Sequence, residues 1–221
     1  MNLADSVLPL ALQLLAWLAF AAALAESIRG ARWRALRDPA RLNAWLGAIV
    51  ALILLWSLPA SVRPGLGLHL VGATLLVLMF GLRLALVALA VVLAAVTATG
   101  KAGVLSFGVN ALLTVFVPAV VSFAVQRIVE RRLPHNFFVY VFVAAFGGTV
   151  LATVATGLAI TAVLAAFGPW PAGFLTSDLL PYLLLLGWGE ALLTGMLVTV
   201  FVVYRPAWVA TFDDTLYLRR R

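Results

Sequence analysis

The chain is a succession of long apolar runs separated by short polar stretches. The runs predict helices at about residues 7–27, 43–60, 68–81, 82–99, 108–126, 136–166 and 180–204. A helix that crosses a bilayer needs roughly 20 consecutive apolar residues, and most of these runs reach that length. The third is short, and Gly81-Leu82-Arg83 is all that separates it from the fourth. That pair reads as a tight hairpin or as one broken element. The sixth is interrupted by Gly147-Gly148, where a kink is expected. The longest polar stretch, about 28–42, is too short for a soluble domain. The pattern predicts an all-α polytopic membrane helix bundle of about seven transmembrane helices, a single integral-membrane domain over residues 1–221.

Composition strengthens this reading. Hydrophobic residues make up 65% of the chain, charged residues 10%, and mean hydropathy is +1.13. A soluble domain of this size has too little interior for that much apolar surface, so a soluble enzyme is excluded, as is a disordered chain. Cysteine is absent, which removes disulfides, thiolate metal sites and a cysteine nucleophile. The net charge of +7 is spread between apolar runs, so it reads as membrane orientation and not as a surface for nucleic acid. With the N-terminus outside and the C-terminus inside, the inner face receives Arg29, Arg32, Arg34, Arg37, Arg41, Arg83, Arg127, Arg131, Arg132, Arg205 and Arg219 to Arg221. Only Arg63 and Lys101 fall outside. Thirteen basic residues against two satisfy the positive-inside rule, which favours basic cytoplasmic loops. The first five residues carry an acid and no Lys or Arg, unlike a secretory signal, so the N-terminus is expected to stay on the protein, outside.

Ionisable residues near membrane spans are rare and informative. The candidates are Asp5, His69, Arg83, Lys101, Asp178 and Glu190. His69 opens the third apolar run near the outer face; it reads as an interfacial residue or as a metal ligand, imidazole being a common one. Glu190 lies well inside the last run, between Gly187, Gly189 and Gly195, small residues that admit a neighbouring helix. It reads equally as a contact to a substrate or ion and as a polar clamp between helices. Asn110, after Gly108 in a Gly-rich outer loop, heads a segment that reads as re-entrant or capping, with a helix cap the preferred role. Arg127, Glu130, Arg131 and Arg132 read as a solvated inner anchor, and Trp208 and Tyr217 as residues at the headgroup level. No Gly-x4-Gly-Lys-Ser/Thr and no His-Glu-x-x-His is present, so neither ATP hydrolysis by a P-loop nor a zinc protease of that type is expected. An intramembrane enzyme built on Glu190 lacks a second catalytic group placed by the sequence.

Four stretches, in order along the chain, resemble the CbiM/NikM family, the substrate-specific membrane subunits of energy-coupling-factor (ECF) importers for cobalt and nickel. They are Met1-Asn2-Leu3-Ala4-Asp5-Ser6-Val7-Leu8; Leu68-His69-Leu70-Val71-Gly72; Gly103 through Pro118 with Gly108-x-Asn110; and Gly189-Glu190-Ala191-Leu192-Leu193-Thr194-Gly195 followed by Arg205-Pro206. The resemblance implies an N-terminus threaded into the bundle and a metal held in a plane of nitrogen donors, an arrangement that suits Ni(II), Co(II) or Cu(II). Carried over, the donors are the Met1 amine, the Asn2 amide and the His69 imidazole, with Asp5 and Glu190 as further oxygen candidates. Residue 2 is Asn where the family has His, and Ala4 replaces a Pro. Asn is a weaker ligand for nickel or cobalt. The resemblance further implies an ABC transporter context: separate ATPase subunits, a coupling transmembrane subunit, and a bacterial-type cytoplasmic membrane. The metal is transported substrate and not a resident cofactor. A non-transporting membrane scaffold, or an importer with another substrate, remains open beside this reading.

Overall fold

The computed structural model describes residues 2–58, 60–63, 66–213 and 217. The apolar runs form α1 (Leu10–Gly30), α2 (Pro39–Trp56), α3 (Ala73–Phe80), α4 (Leu82–Ala98), α5 (Phe107–Arg132), α6 (Phe137–Phe167) and α7 (Leu175–Tyr204). Five of them, α1, α2, α5, α6 and α7, are long and apolar enough to cross a membrane. Their outward side chains are apolar, for example Leu14, Leu15 and Leu18 on α1 and Leu185, Leu192 and Met196 on α7. Such faces are stable against lipid and unfavourable in water. The chain is an integral membrane protein.

Local chemistry explains several boundaries. Pro39 opens α2, and the Asp38 carboxylate accepts from the Ala40 amide at 3.0 Å, satisfying a donor that the first turn leaves unpaired. Pro118 in α5 and Pro181 in α7 each follow a π-helical turn, Leu112–Phe116 and Leu175–Leu179. Proline lacks the N–H that a regular turn needs, and a wider turn absorbs the mismatch. The interruption expected at Gly147-Gly148 is a third such stretch, Tyr140–Gly147.

The third predicted helix is corrected most. Residues 68–81 are a strand end, a loop and the eight-residue α3, about 12 Å long at 1.5 Å per residue. That is well short of a bilayer core of about 30 Å. Gly81, at φ +78°, turns the chain directly into α4, and the two helices pack on each other. The pair is therefore a corner between separate helices. The 17-residue α4 is buried on almost every face, from Leu84 through Val96, as expected of an all-round apolar helix at the centre of a bundle. Around it gather Phe20, Trp45, Trp56, Leu76 and Val115.

The expectation of an all-α chain also needs amending. A three-stranded antiparallel sheet of β1 (Asn2–Leu3), β2 (Ala60–Arg63) and β3 (Leu66–Leu68), in the order β1-β3-β2, sits at the N-terminal end. Asn2 pairs with Gly67 and Leu3 with Leu66.

The two ends of α3 are completed by distant parts of the chain. At its start, the Val71 and Gly72 amides donate to Glu190 of α7. At its finish, the Ala210 and Thr211 amides donate to the carbonyls of Met79 and Leu78 at 3.0 and 3.2 Å. The Thr211 hydroxyl adds a bond to Leu78 at 2.9 Å, and Tyr140 donates to that hydroxyl at 2.6 Å. A short helix is tolerated inside a membrane protein only when its terminal backbone groups find such partners. Tyr217, expected at the headgroup level, instead packs inside against Tyr140 and Phe212.

Candidate metal centre

The segment before α1 runs inward, and polar side chains of α1 and α5 hold it. The Asn110 carboxamide accepts from the Leu3 amide at 2.8 Å and donates to the Leu3 carbonyl at 3.0 Å. It occupies the place that a neighbouring strand would take beside β1. Asn110 is therefore no helix cap; it lies inside α5, buried, four residues beyond the N-cap Ser106. Ser106 donates its amide to Asp5 Oδ1 at 2.7 Å and its hydroxyl to the Ala4 carbonyl at 3.0 Å. Gln13, the lone amide side chain in the first apolar run, reaches back from α1 to the carbonyls of Asp5 and Leu8 at 2.8 and 2.6 Å. Gly103 donates its amide to the Leu3 carbonyl. Its lack of a side chain matters, because a Cβ there would strike the Asp5 carboxylate and backbone. Leu3, Val7 and Leu8 fill an apolar pocket with Val109, Leu113, Ile160 and Leu179.

The same sheet brings the His69 loop to this segment. β3 ends at Leu68, and Asn2 lies opposite Gly67, two residues before His69. His69 is buried, its ring 4.3 Å from that of the fully buried Trp56. Its Nδ1 lies 3.0 Å from the Leu70 carbonyl. A carbonyl only accepts, so Nδ1 carries the proton and Nε2 carries the lone pair, the atom through which neutral imidazole binds a metal. Burial holds the imidazole well below its ordinary pKa, which keeps it neutral near pH 7. The Trp56 indole N–H donates to the Val71 carbonyl at 3.3 Å. The Glu190 carboxylate accepts from Val71 and Gly72 at 2.9 and 2.8 Å.

Of the residues marked by sequence, the structure thus gathers Asn2 (by its backbone), Asp5, His69, Asn110 and Glu190 around one end of the bundle. Met1, the side chain of Asn2 and Arg219 to Arg221 lie outside the described residues. The remaining candidates serve elsewhere. Asp178 is exposed. Arg83 pairs with Glu26 at 3.0 Å, Arg127 with Glu130 at 2.9 Å, and Lys101 donates to the Ser57 carbonyl at 2.6 Å. Among the described residues no three His, Asp or Glu side chains converge as a metal cluster. Gln13, Ser106 and Trp56 were missed; a single amide within an apolar run was the available signal for Gln13.

Helices with lipid-facing apolar surfaces around an inward-threaded N-terminal segment and a buried imidazole define a polytopic membrane protein with a candidate site for a small cation. The chain belongs to the CbiM family, the cobalt uptake substrate-specific transmembrane region, whose pattern matches residues 2–208. Its fold is similar to a crystal structure described as a transition metal transporter, with TM-score 0.76, 20% identity, and 91% of this chain and 92% of that one covered. A crystal structure of a truncated transition metal transporter gives 0.72, 20% identity, and 92% and 98%. No curated protein matches in sequence.

Proposed function

We propose that the chain is the substrate-capturing membrane subunit of an ECF importer that moves a transition-metal ion, nickel or cobalt, inward. The observation that carries this reading is the sheet that sets the first strand, at Asn2, against the strand leading into His69. The donors would be the Met1 amine, the backbone and side chain of Asn2, and His69 Nε2. Nitrogen donors suit the later divalent metals. Asp5 and Glu190 hold backbone amides and would act as supports. The N-terminus lies outside in this reading, in a bacterial-type cytoplasmic membrane, and the basic loops face inward. The chain is not itself an enzyme: ATP hydrolysis would fall to separate ATPase subunits, joined through a coupling transmembrane subunit.

Calorimetric titration of the purified protein with Ni, Co, Cu and Zn tests the reading. Micromolar or tighter binding that His69→Ala abolishes is expected, as is loss of uptake when an N-terminal extension blocks the Met1 amine. Binding to none of the four metals would favour a non-transporting scaffold.

A further inference from the structure

Among the described residues Glu190 is the only acidic side chain that is buried. The two ion pairs found there, Arg83–Glu26 and Arg127–Glu130, do not involve it. A carboxylate is costly to bury without a compensating partner, so its hydrogen bonds define its role. Its two oxygens take two consecutive backbone amides, Val71 at 2.9 Å and Gly72 at 2.8 Å. Bonds to successive N–H groups fix the orientation of both peptide planes. Gly72 stands in the left-handed region at φ +75°, a conformation that the clamp locks in place. The next group toward His69, the Val71 carbonyl, is held by Trp56, whose ring also lies against the imidazole. The Leu70 carbonyl receives the imidazole Nδ1–H. An unbroken series of contacts therefore runs from α7 through residues 72, 71 and 70 to the His69 ring.

We propose that Glu190 is a positioning residue for His69: acting through the Val71 and Gly72 amides, it sets the angle at which Nε2 is offered to the metal, and thereby the preference among metals. The inference rests on the metal-site reading above. Groups that orient a ligand without touching the metal typically change affinity by about 10–100-fold when removed. The effect differs between metals, because a planar set of nitrogen donors rewards exact angles more for nickel or copper than for cobalt.

Two variants separate reach from charge. Glu190→Gln keeps the length but replaces one acceptor with a donor facing an amide. Glu190→Asp keeps the charge but is one methylene too short to span both amides. Each would be purified in detergent beside Val198→Ala, a buried α7 residue in the cluster around Tyr140 and Phe212 that controls for general destabilisation, and beside His69→Ala. The readouts are the visible absorption spectrum of the Cu(II)- and Ni(II)-loaded proteins and the ratio of nickel to cobalt affinity. Both Glu190 variants are expected to shift the absorption maximum and to lower the ratio about tenfold or more, while Val198→Ala lowers Tm and leaves spectrum and ratio as in the wild type. If Glu190→Gln does not accumulate, Glu190→Asp carries the test. Wild-type spectrum and ratio in both variants would overturn the proposal and leave a clamp that only holds helices together. Complete loss of binding, as in His69→Ala, would overturn it in favour of direct ligation. If the wild type itself binds no metal, the metal-site reading fails and the proposal with it; binding by the wild type that His69→Ala abolishes keeps that reading whatever the Glu190 variants do.

Discussion

Replacing Asn110 with Ala removes both bonds that hold the Leu3 peptide, at 2.8 and 3.0 Å. The two losses are unequal. The Leu3 carbonyl keeps the Gly103 amide, so there the change is one ordinary hydrogen bond, worth about 0.5–1.5 kcal/mol. The Leu3 amide loses its acceptor in a buried place, and an unsatisfied buried donor costs about 1–3 kcal/mol. Together the segment before α1 is less firmly docked by roughly 1.5–4.5 kcal/mol. At about 1.4 kcal/mol per factor of ten, undocking becomes about tenfold to a thousandfold more frequent. Hydrogen exchange of amides 3–8 reads that frequency directly. Metal Kd reads it through the fraction of molecules with the segment docked, so it weakens by at most the same factor. Asn110→Asp keeps the acceptor for the Leu3 amide but sets an oxygen against the Leu3 carbonyl, and should fall between wild type and Ala. Unchanged exchange at 3–8 and unchanged Kd in Asn110→Ala, with only Tm lowered, would refute the idea that Asn110 docks the segment.

Two further substitutions follow from close approaches. A Cβ on Gly108 would lie 2.5 Å from Trp17 Cα and 2.6 Å from the Ala16 carbonyl carbon. Gly108→Ala should therefore push α1 from α5, disturb the Trp17–Phe107 stack and lose about 1–3 kcal/mol; thermal unfolding in detergent checks this, and an unchanged Tm counts against it. Gly103→Ala should displace Asp5 and weaken metal binding with a smaller change in Tm, measured by the same titration and melt. Deleting residues 205–221 removes the Ala210 and Thr211 amides from the α3 carbonyls. Faster exchange across Ala73–Phe80 and a lower Tm are expected, and protection equal to the full chain would count against that bond pattern.

The long helices were legible because a lipid-facing helix must be apolar over about 20 residues, and α1, α2, α5, α6 and α7 each carry such a run. The sheet was not. Asn2–Leu3 is too short for any alternation to appear, and Leu66–Leu68 is three residues abutting the apolar run read as a helix over 68–81. Propensity cannot reveal a strand whose partners are supplied by tertiary structure. His69 and Glu190 were visible because imidazole and carboxylate are rare in such a chain. Asn110 was visible too but misread: its spacing after Gly108 suggests a local cap, whereas its partner is 107 residues away. The partners of Glu190, the Val71 and Gly72 amides, lie 119 and 118 residues away in the loop before α3, and nothing in the local sequence points to them.

The dependence of α3 on its distant partners bears on how the protein is made. Chains emerge from the N-terminus, so Ala73–Phe80 enters the membrane long before Glu190 and Thr211 are synthesised. Until then its terminal amides and carbonyls lack their partners, and exposed backbone groups are expensive in hydrocarbon. The segment therefore finds its settled position only after the last helix and the residues beyond it arrive. The loop that bears His69 receives its Glu190 clamp only when the last helix is made, and the far end of α3 receives its partners only with Ala210 and Thr211. Settling of α3 and of the loop before it is in this way tied to the last part of the polypeptide to be made.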